Sequence, residues 1–154
     1  MIAVRITKHF RGIPVDTSKL KGLVRAICVR FEVRQVVVGI AIVDDVEISQ
    51  LNARFLNHEG TTDCLSFDLS DGADPQESKV FDLIVNGELA AREAARRGHG
   101  AGAELALYVA HGLLHNLGFD DATREQADLM HRTEDEILQH LGYGLVYNTG
   151  ARSQ

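Results

Sequence analysis

The sequence predicts an α+β fold in a single domain, with a roughly four-stranded mixed sheet packed against about five helices. Short runs rich in β-branched residues alternate along the chain with longer runs of helical hydrophobic period. The length of 154 residues fits one domain. A chain of this length builds a hydrophobic core without disulfides or a structural metal. A metal site here is therefore expected to serve function and not folding.

Strands and helices are predicted to alternate along the first half of the chain. The predicted elements are a strand over residues 2–6, a helix ending near residue 31, a strand over 36–43 and a helix over 46–55. The second strand is rich in β-branched residues and should be well buried. Asp16, Thr17 or Ser18 can cap the first helix. Because that helix joins the first two strands, they are expected to pair in parallel by a right-handed crossover.

The second half is predicted to contain two strands and three helices. The predicted elements are strands over residues 64–69 and 80–85 and helices over 86–97, 101–117 and 124–141. The two strands should pair as an antiparallel hairpin across the loop Ser70–Ser78, which carries Asp, Gly and Pro. The Ala- and Leu-rich helix over 101–117 should be buried, with Gly118 ending it. The domain is expected to span 1–147, with 148–154 as a flexible tail.

The charge balance counts against nucleic-acid binding but does not exclude it. The net charge is −6 and the sequence pI is near 5.6, whereas nucleic-acid binding normally draws on clustered Lys and Arg. The electrostatic potential at the binding surface matters more than the net charge of the whole chain. Arginines recur in two regions, and solvated helix faces are the simpler interpretation of both. These residues are Arg25, Arg30, Arg34, Arg92, Arg96 and Arg97.

Cysteine usage and hydropathy predict a cytoplasmic protein. Cys28 and Cys64 lie far apart and form neither a CxxC pair nor a disulfide framework, so reduced core thiols are expected. The first residues lack the features of a signal peptide. No apolar run reaches the roughly 18 residues that a membrane span needs.

The segment that ends at Asp121 carries the chemistry. His111 and His115 are four residues apart on a predicted helix, so two imidazoles on one face can bind one metal ion. The helix is otherwise apolar, and an unpaired histidine there would be costly. Gly118 allows the chain to reverse, and Asp121 can then supply a third ligand. Two nitrogens and a carboxylate suit zinc and leave a fourth position for water, as in catalytic sites.

A purely structural interpretation of the same residues stays open at this point. The two histidines could be buried with backbone partners, and Asp121 could cap the last helix, since Ala122 and Thr123 follow it directly. Asp120 is a candidate general base because of its nearness to the ligands. A carboxylate that only stabilises a tight turn is the alternative for Asp120.

Two motifs resemble those of a known family. The segment His111-Gly-Leu-Leu-His115-Asn-Leu-Gly118-Phe-Asp120-Asp121 resembles the HGxLHxxGYDH signature of the YbeY-type rRNA maturation factors. Leu51-Asn52 followed by Thr62-Asp-Cys-Leu-Ser-Phe67 is similar to their LN…TDVLSF element, and Asp82–Val85 is a third partial match. The resemblance covers about residues 45 to 141.

The resemblance implies a function and partners. The resemblance implies that this chain is a single-domain, zinc-dependent, single-strand-specific endoribonuclease. The resemblance also implies 16S rRNA 3′-end maturation and ribosome quality control as the process. Single-stranded rRNA, the small ribosomal subunit and a ribosome-assembly GTPase are the implied partners.

Two positions depart from the family pattern. The third metal ligand is usually His in the family and is Asp121 here, which is a competent ligand. Leu56 stands where many members carry an arginine for substrate handling, and His58 or Arg54 are candidates for supplying that positive charge. Ser66 lies on the strand of the second motif, and we expect it to border the cleft and to hydrogen-bond the RNA backbone.

Two other functions are alternatives. The HxxxHxxGxxD pattern is similar to that of metzincin-like proteases, but those carry Glu directly after the first His, where this chain has Gly112. A ribosome-associated factor whose metal only orders the site is the second alternative, and Leu56 and the acidic net charge favour it.

The remaining titratable residues of the second half are expected to face solvent. His99, His131 and His140 are predicted on exposed helix or loop surfaces. The acidic run Glu134-Asp135-Glu136 is predicted to form a solvated helix face.

Overall fold

A four-stranded mixed sheet forms the centre of the computed structural model, which describes residues 1–72 and 78–144. The strands are β1 (Ile2–Lys8), β2 (Val36–Val43), β3 (Cys64–Asp68) and β4 (Lys79–Asn86). Their spatial order is β1-β2-β4-β3. β2 pairs in parallel with β1 and β4, and β3 pairs antiparallel with β4 at the edge. The two predicted pairings are confirmed, and the predicted tail over 148–154 lies outside the described residues.

Five helices pack around this sheet in the described part of the chain. They are α1 (Thr17–Arg30), α2 (Asp45–Leu56), α3 (Gly87–Arg97), α4 (Ala101–Asn116) and α5 (Arg124–His140). Side-chain oxygens of the preceding residues accept hydrogen bonds from the first turns of four of them and so determine where they begin. These caps are Asp16, Asp44, Asn86 and Thr123. None of the helices described is long and apolar enough to cross a membrane.

Alternation along the strands divides the apolar side chains between the two faces of the sheet. One set packs with α1, α4 and α5 in the main core. The strand residues of this set include Val36, Val38, Ile40, Ile42, Phe81, Leu83 and Val85. The alternate set packs under α2, where Ile48 and Leu51 contact Leu65 and Phe67 of the edge strand. The α+β prediction is confirmed, and α4 lies on the main-core face.

Gly112 allows α4 to lie directly against the edge strand. A Cβ atom at this position would be 2.6 Å from Cys64 Sγ and 3.2 Å from Leu83 Cδ2, so a side chain does not fit without a shift. Cys64 and Cys28 are free thiols, as expected. The close approach at Gly112 holds the C-terminal half of α4 against β3.

Gly118 reverses the chain after α4, as the sequence predicts. Its φ of +101° lies in the left-handed region that favours glycine. The N–H of Phe119 donates to the carbonyl of Leu114 at 3.0 Å and closes the last turn. The Phe119 ring then packs edge-on against Phe31, with centroids 5.4 Å apart. The chain is thereby returned toward α4 over residues 119–121.

We predict that Gly118→Ala lowers the free energy of unfolding by about 1 kcal/mol or more, because alanine is strained at this positive φ. Gly22→Ala is the matched control. Gly22 lies inside α1, and a Cβ there meets nothing within 4 Å. The control should therefore raise stability by up to about 1 kcal/mol. Urea unfolding of both variants checks this, and a Gly118→Ala protein as stable as the wild type would contradict the turn described here.

Candidate metal centre

His111 and His115 face each other on the last turns of α4. Their Nε2 atoms are 3.1 Å apart. The ring centroids are 4.6 Å apart, and the ring planes cross at 83°. The four-residue spacing predicted the shared face, and the structure brings the two donor nitrogens to one point.

Asp121 reaches the same point from the turn after α4. Its Oδ2 is 3.8 Å from Nε2 of His111 and 3.8 Å from Nε2 of His115. Asp121 does not cap the last helix, because Thr123 is the N-cap of α5 and forms a capping box with Gln126. The Asp121 side chain is 45% exposed and leaves the solvent side of the site open.

The Nδ1 atoms of both histidines are held by partners outside the site. His115 Nδ1 is 3.1 Å from the carbonyl oxygen of Phe119. A carbonyl only accepts, so Nδ1 carries the proton and Nε2 keeps its lone pair. His111 Nδ1 is 2.9 Å from Glu134 Oε2, and an ionised carboxylate orients this ring in the same way. Histidines that bind metal ions usually have such a hydrogen-bond partner at the other ring nitrogen.

The three donor atoms fit a tetrahedral metal ion. Ligand atoms about 2.0–2.1 Å from zinc at tetrahedral angles lie roughly 3.3–3.4 Å from one another. The separations here are 3.1, 3.8 and 3.8 Å. Two imidazole nitrogens and one carboxylate oxygen are a donor set that suits zinc. These residues could therefore hold one metal ion with a fourth position facing solvent.

Glu134 connects His111 to a third histidine. It is fully buried, and its Oε1 is 2.7 Å from Nδ1 of His131. Burial acts to raise the pKa of Glu134, but the hydrogen bonds from His111 and His131 outweigh it and hold the pKa below its usual value. Burial acts to lower the pKa of His111, but Glu134, together with the charges of Asp63 and Asp121, outweighs burial and raises that pKa.

His111, His131 and Glu134 also have ligand atoms close enough to hold a metal ion. In this group both carboxylate oxygens of Glu134 already contact ring nitrogens. The buried carboxylate of Glu134 therefore orients the rings of His111 and His131. Asp121 is then the acidic residue near Nε2 of His111.

The prediction of a solvated acidic run on α5 is wrong. Glu134 and Asp135 are buried, and only Glu136 of the run is exposed. Glu134 follows Met130 by four residues and precedes Leu138 by four. Helical spacing therefore places Glu134 on the apolar face of α5. That spacing is a signal that Glu134 is buried, although it does not show which residue Glu134 contacts.

The expectation for the other histidines is only partly confirmed. His140 is exposed. His131 is 22% exposed and contacts Glu134. His99 is 16% exposed, with its Nε2 2.5 Å from Oε2 of the buried Glu104. Two histidines expected on the surface therefore pair with buried carboxylates.

A cleft of about 360 Å³ opens beside His111, between α3, α4, α5 and residues 62–63. Glu104 and Tyr108 of α4 line it, and burial raises the pKa of Tyr108 well above its usual value. Arg96 and Arg97 of α3 line the opposite wall. The cleft therefore has both charged and apolar lining residues, and it adjoins His111.

Asn86 fixes the segment that leads into the edge strand. Its Nδ2 donates to Asp45 Oδ1 at 2.8 Å, to Thr61 Oγ1 at 3.0 Å and to the carbonyl of Thr62 at 3.2 Å. Its backbone N–H donates to the carbonyl of Asp63 at 2.9 Å. Residues 61–63 are thereby held at the entrance of β3, where Thr62 and Asp63 line the cleft.

The other predicted site residues are Ser66, Asp120 and His58, and they do not all lie beside the metal helix α4. Ser66 faces α4, because its Cβ lies 3.8 Å from where a Cβ on Gly112 would be. Asp120 Oδ1 accepts the N–H of Asp121 at 2.7 Å, as a turn residue does. His58 is exposed just after α2. Ser66 is thus beside the metal helix, whereas His58 is on the surface.

The end of α2 places no residue in the cleft wall. Leu56 is 43% exposed, and the guanidinium of Arg54 lies 5.3 Å from the ring centroid of Phe55. Of the described residues, none from 54 to 58 lines the cleft beside His111.

The fold and the donor set define a single-domain α+β protein with a candidate mononuclear metal centre. The family described as Endoribonuclease YbeY matches residues 5–142. Proteins of that name from Nocardioides sp. and Carboxydothermus hydrogenoformans are each 35% identical to this chain. The first match covers 82% of this chain and 90% of the relative, and the second 89% and 96%. The protein of that name from Desulforamulus reducens is 40% identical over 68% of this chain and 72% of its own.

A solved structure supports the fold. The solution structure of TM1509 from Thermotoga maritima superimposes with a TM-score of 0.57 at 24% identity, over 89% of this chain and 90% of that one. With the family match and these relatives, the chain belongs to the Endoribonuclease YbeY family. The family name describes hydrolases that cut RNA internally.

We predict that Asp45→Asn changes how stability depends on pH. The hydrogen bond from Arg92 lowers the pKa of Asp45 from 3.8 to about 2. As pH falls from 4 to 2 the unfolded chain takes up this proton first, so the stability that Asp45 contributes above pH 4 is lost in that window. The difference in unfolding free energy between wild type and variant should shrink between pH 4 and pH 2.

Urea unfolding at a series of pH values measures this difference. Asp71→Asn, in the exposed loop after β3, is the control for the loss of one negative charge. A difference for Asp45→Asn that stays constant from pH 5 to pH 2 would show that the ion pair with Arg92 contributes no stability.

Proposed function

We propose that this protein is a zinc-dependent endoribonuclease that cuts single-stranded RNA. The observation that carries the proposal is the convergence of His111 Nε2, His115 Nε2 and Asp121 Oδ2 in a chain of the Endoribonuclease YbeY family. The name of the relatives supports RNA as the substrate. We further propose 16S rRNA 3′-end maturation and ribosome quality control as its process. The small ribosomal subunit and an assembly GTPase are proposed as partners in the cytoplasm.

The proposed reaction is hydrolysis of a phosphodiester bond. Zinc, when bound, supplies a Lewis acid for a phosphoryl oxygen and lowers the pKa of a bound water molecule toward about 7. Glu134 and the carbonyl of Phe119 hold the two histidine rings with their Nε2 lone pairs directed at the ion. These two contacts therefore keep the donor set in place before substrate binds.

Three further residues have proposed roles in handling the RNA. Ser66 faces the metal helix and is proposed to donate a hydrogen bond to the RNA backbone. Asp120 precedes the third ligand and is proposed as the proton acceptor, with its Oδ1 also holding the turn. His58 is proposed as a more distant contact for the strand.

A metzincin-like protease is disfavoured by the packing at Gly112. Those proteases need Glu directly after the first histidine as general base. A Cβ at Gly112 would lie 2.6 Å from Cys64 Sγ, so a glutamate does not fit there without a shift of its neighbours. The chain therefore has no general base at the position that peptide hydrolysis of that type requires.

We predict that zinc-loaded protein cleaves a labelled single-stranded RNA and that His115→Ala, purified identically, does not. The variant removes one of the three donors, and with it the metal chemistry. Denaturing gel electrophoresis of the products measures cleavage, with zinc content measured on the same samples. Equal cleavage by both proteins would show a contaminating ribonuclease. No cleavage by wild type carrying one zinc per chain would favour a non-catalytic ribosome-associated factor.

We predict that Glu134→Gln weakens zinc binding about 10- to 100-fold. This is the usual effect of removing a carboxylate that is hydrogen-bonded to a histidine ligand. An amide cannot accept hydrogen bonds from both His111 and His131 through two oxygens. Glu136→Gln is the matched control on the same helix, because Glu136 is exposed. Competition with a chromophoric chelator measures the affinity. Equal affinities for the two variants would remove Glu134 from the metal site.

A further inference from the structure

We propose that the cleft beside His111 binds the nucleotide next to the cleaved phosphodiester, and that Arg97 contacts the phosphate of that nucleotide. The proposal rests on the endoribonuclease function proposed above and adds a substrate-binding residue to it. Arg97 lies on α3, the helix that precedes the metal-binding segment.

The position and size of the cleft fit one unpaired nucleotide. His111 lines the cleft, so a group bound there is adjacent to the candidate metal centre. The volume of about 360 Å³ lies at the small end of ligand sites and is too small for a duplex. Leu89 and Leu107 offer apolar wall to a base, and Thr62 offers a hydroxyl. Unpaired bases are recognised by such mixed surfaces.

Arg97 is held in the cleft wall without hydrogen bonds from two of its nitrogens. Its side chain is 19% exposed. Its Nε is 3.8 Å from Glu93 Oε2, and its Nη1 is 3.9 Å from Glu104 Oε1. Within the described residues, neither nitrogen has a hydrogen-bond partner although both are buried. Because these two nitrogens donate to no acceptor, the guanidinium keeps donors that a phosphate oxygen can accept.

Arg96 is less suited to this role, although it also lines the cleft. Its Nε donates to Glu93 Oε2 at 2.8 Å, and its Nη2 lies 2.6 Å from the same oxygen. Its side chain is 57% exposed. Arg96 therefore pairs with Glu93 at the rim of the cleft. Because Glu93 already pairs with Arg96, it balances less of the positive charge of Arg97.

The test measures RNA binding and cleavage by the full-length chain. Binding of a short fluorescein-labelled single-stranded RNA is followed by anisotropy in EDTA, where no turnover occurs, over a series of salt concentrations. Steady-state cleavage by the zinc-loaded protein gives KM and kcat. The variants are Arg97→Ala, Arg97→Lys and the control Arg25→Ala, which removes an exposed charge on α1. Zinc content and melting temperature are recorded for each.

We expect Arg97→Ala to raise Kd and KM at least about tenfold, the effect of losing a charge-assisted hydrogen bond. The slope of log Kd against log salt should fall by about 0.7, the value for one phosphate contact to a single strand. Arg97→Lys should keep the slope and still bind more weakly, because an ammonium lacks the guanidinium fork. Arg25→Ala should match the wild type in all of these.

An Arg97→Ala variant with the affinity and salt slope of Arg25→Ala would overturn the proposal. If Arg97→Ala fails to fold, Arg97→Lys decides, and a wild-type Kd and KM for it would overturn the proposal. If zinc-loaded wild type cleaves no RNA, the endoribonuclease function fails while the binding arm still tests the cleft. If wild type cleaves RNA and the Arg97 variants bind normally, the cleft fails and the endoribonuclease function stands.

Discussion

The geometry of the candidate metal centre depends on one buried carboxylate. Glu134 is fully buried, and each of its oxygens contacts an imidazole nitrogen. An ionised group in a protein interior is stable only when such partners replace its water. Because α5 supplies Glu134 and α4 supplies His111, the orientation of that ring depends on how the two helices pack. Met130 and Leu138, each about one turn away on α5, are also fully buried.

The edge strand is held to the same centre by two independent contacts. Gly112 brings α4 against Cys64, and Asn86 ties residues 61–63 to the start of α3. Neither contact involves a metal-binding candidate. Close packing at Gly112 and the side-chain hydrogen bonds of Asn86 therefore hold the wall of the cleft in place.

Most of the fold was predictable from local patterns. Strand β2 is a run of β-branched residues, and the starts of four helices coincide with short polar residues that cap them. Periodicity also placed His111 and His115 on one face. Asp121 required the turn at Gly118, which a glycine after an apolar helix indicates. These features depend on neighbours within a few residues, which is why a single sequence predicts them.

The contact between Glu134 and His111 and the lining of the cleft could not be predicted in the same way. Glu134 lies 23 residues beyond His111, and only the packing of α5 on α4 brings them together. Arg97 enters the cleft because α3 packs on α4, although its sequence context is typical of a solvated helix face. Side chains that meet across elements depend on tertiary packing, and periodicity along one element carries no signal for such pairs.

The capping of α5 by Thr123 has a consequence for how this protein can evolve. Since Thr123 and Gln126 form the capping box, the carboxylate of Asp121 is not needed to begin the helix. A substitution at residue 121 therefore leaves the cap of α5 intact. Selection for metal binding can therefore change residue 121 without removing the helix cap. A substitution at Gly112 or Glu134 must also be compatible with the packed core.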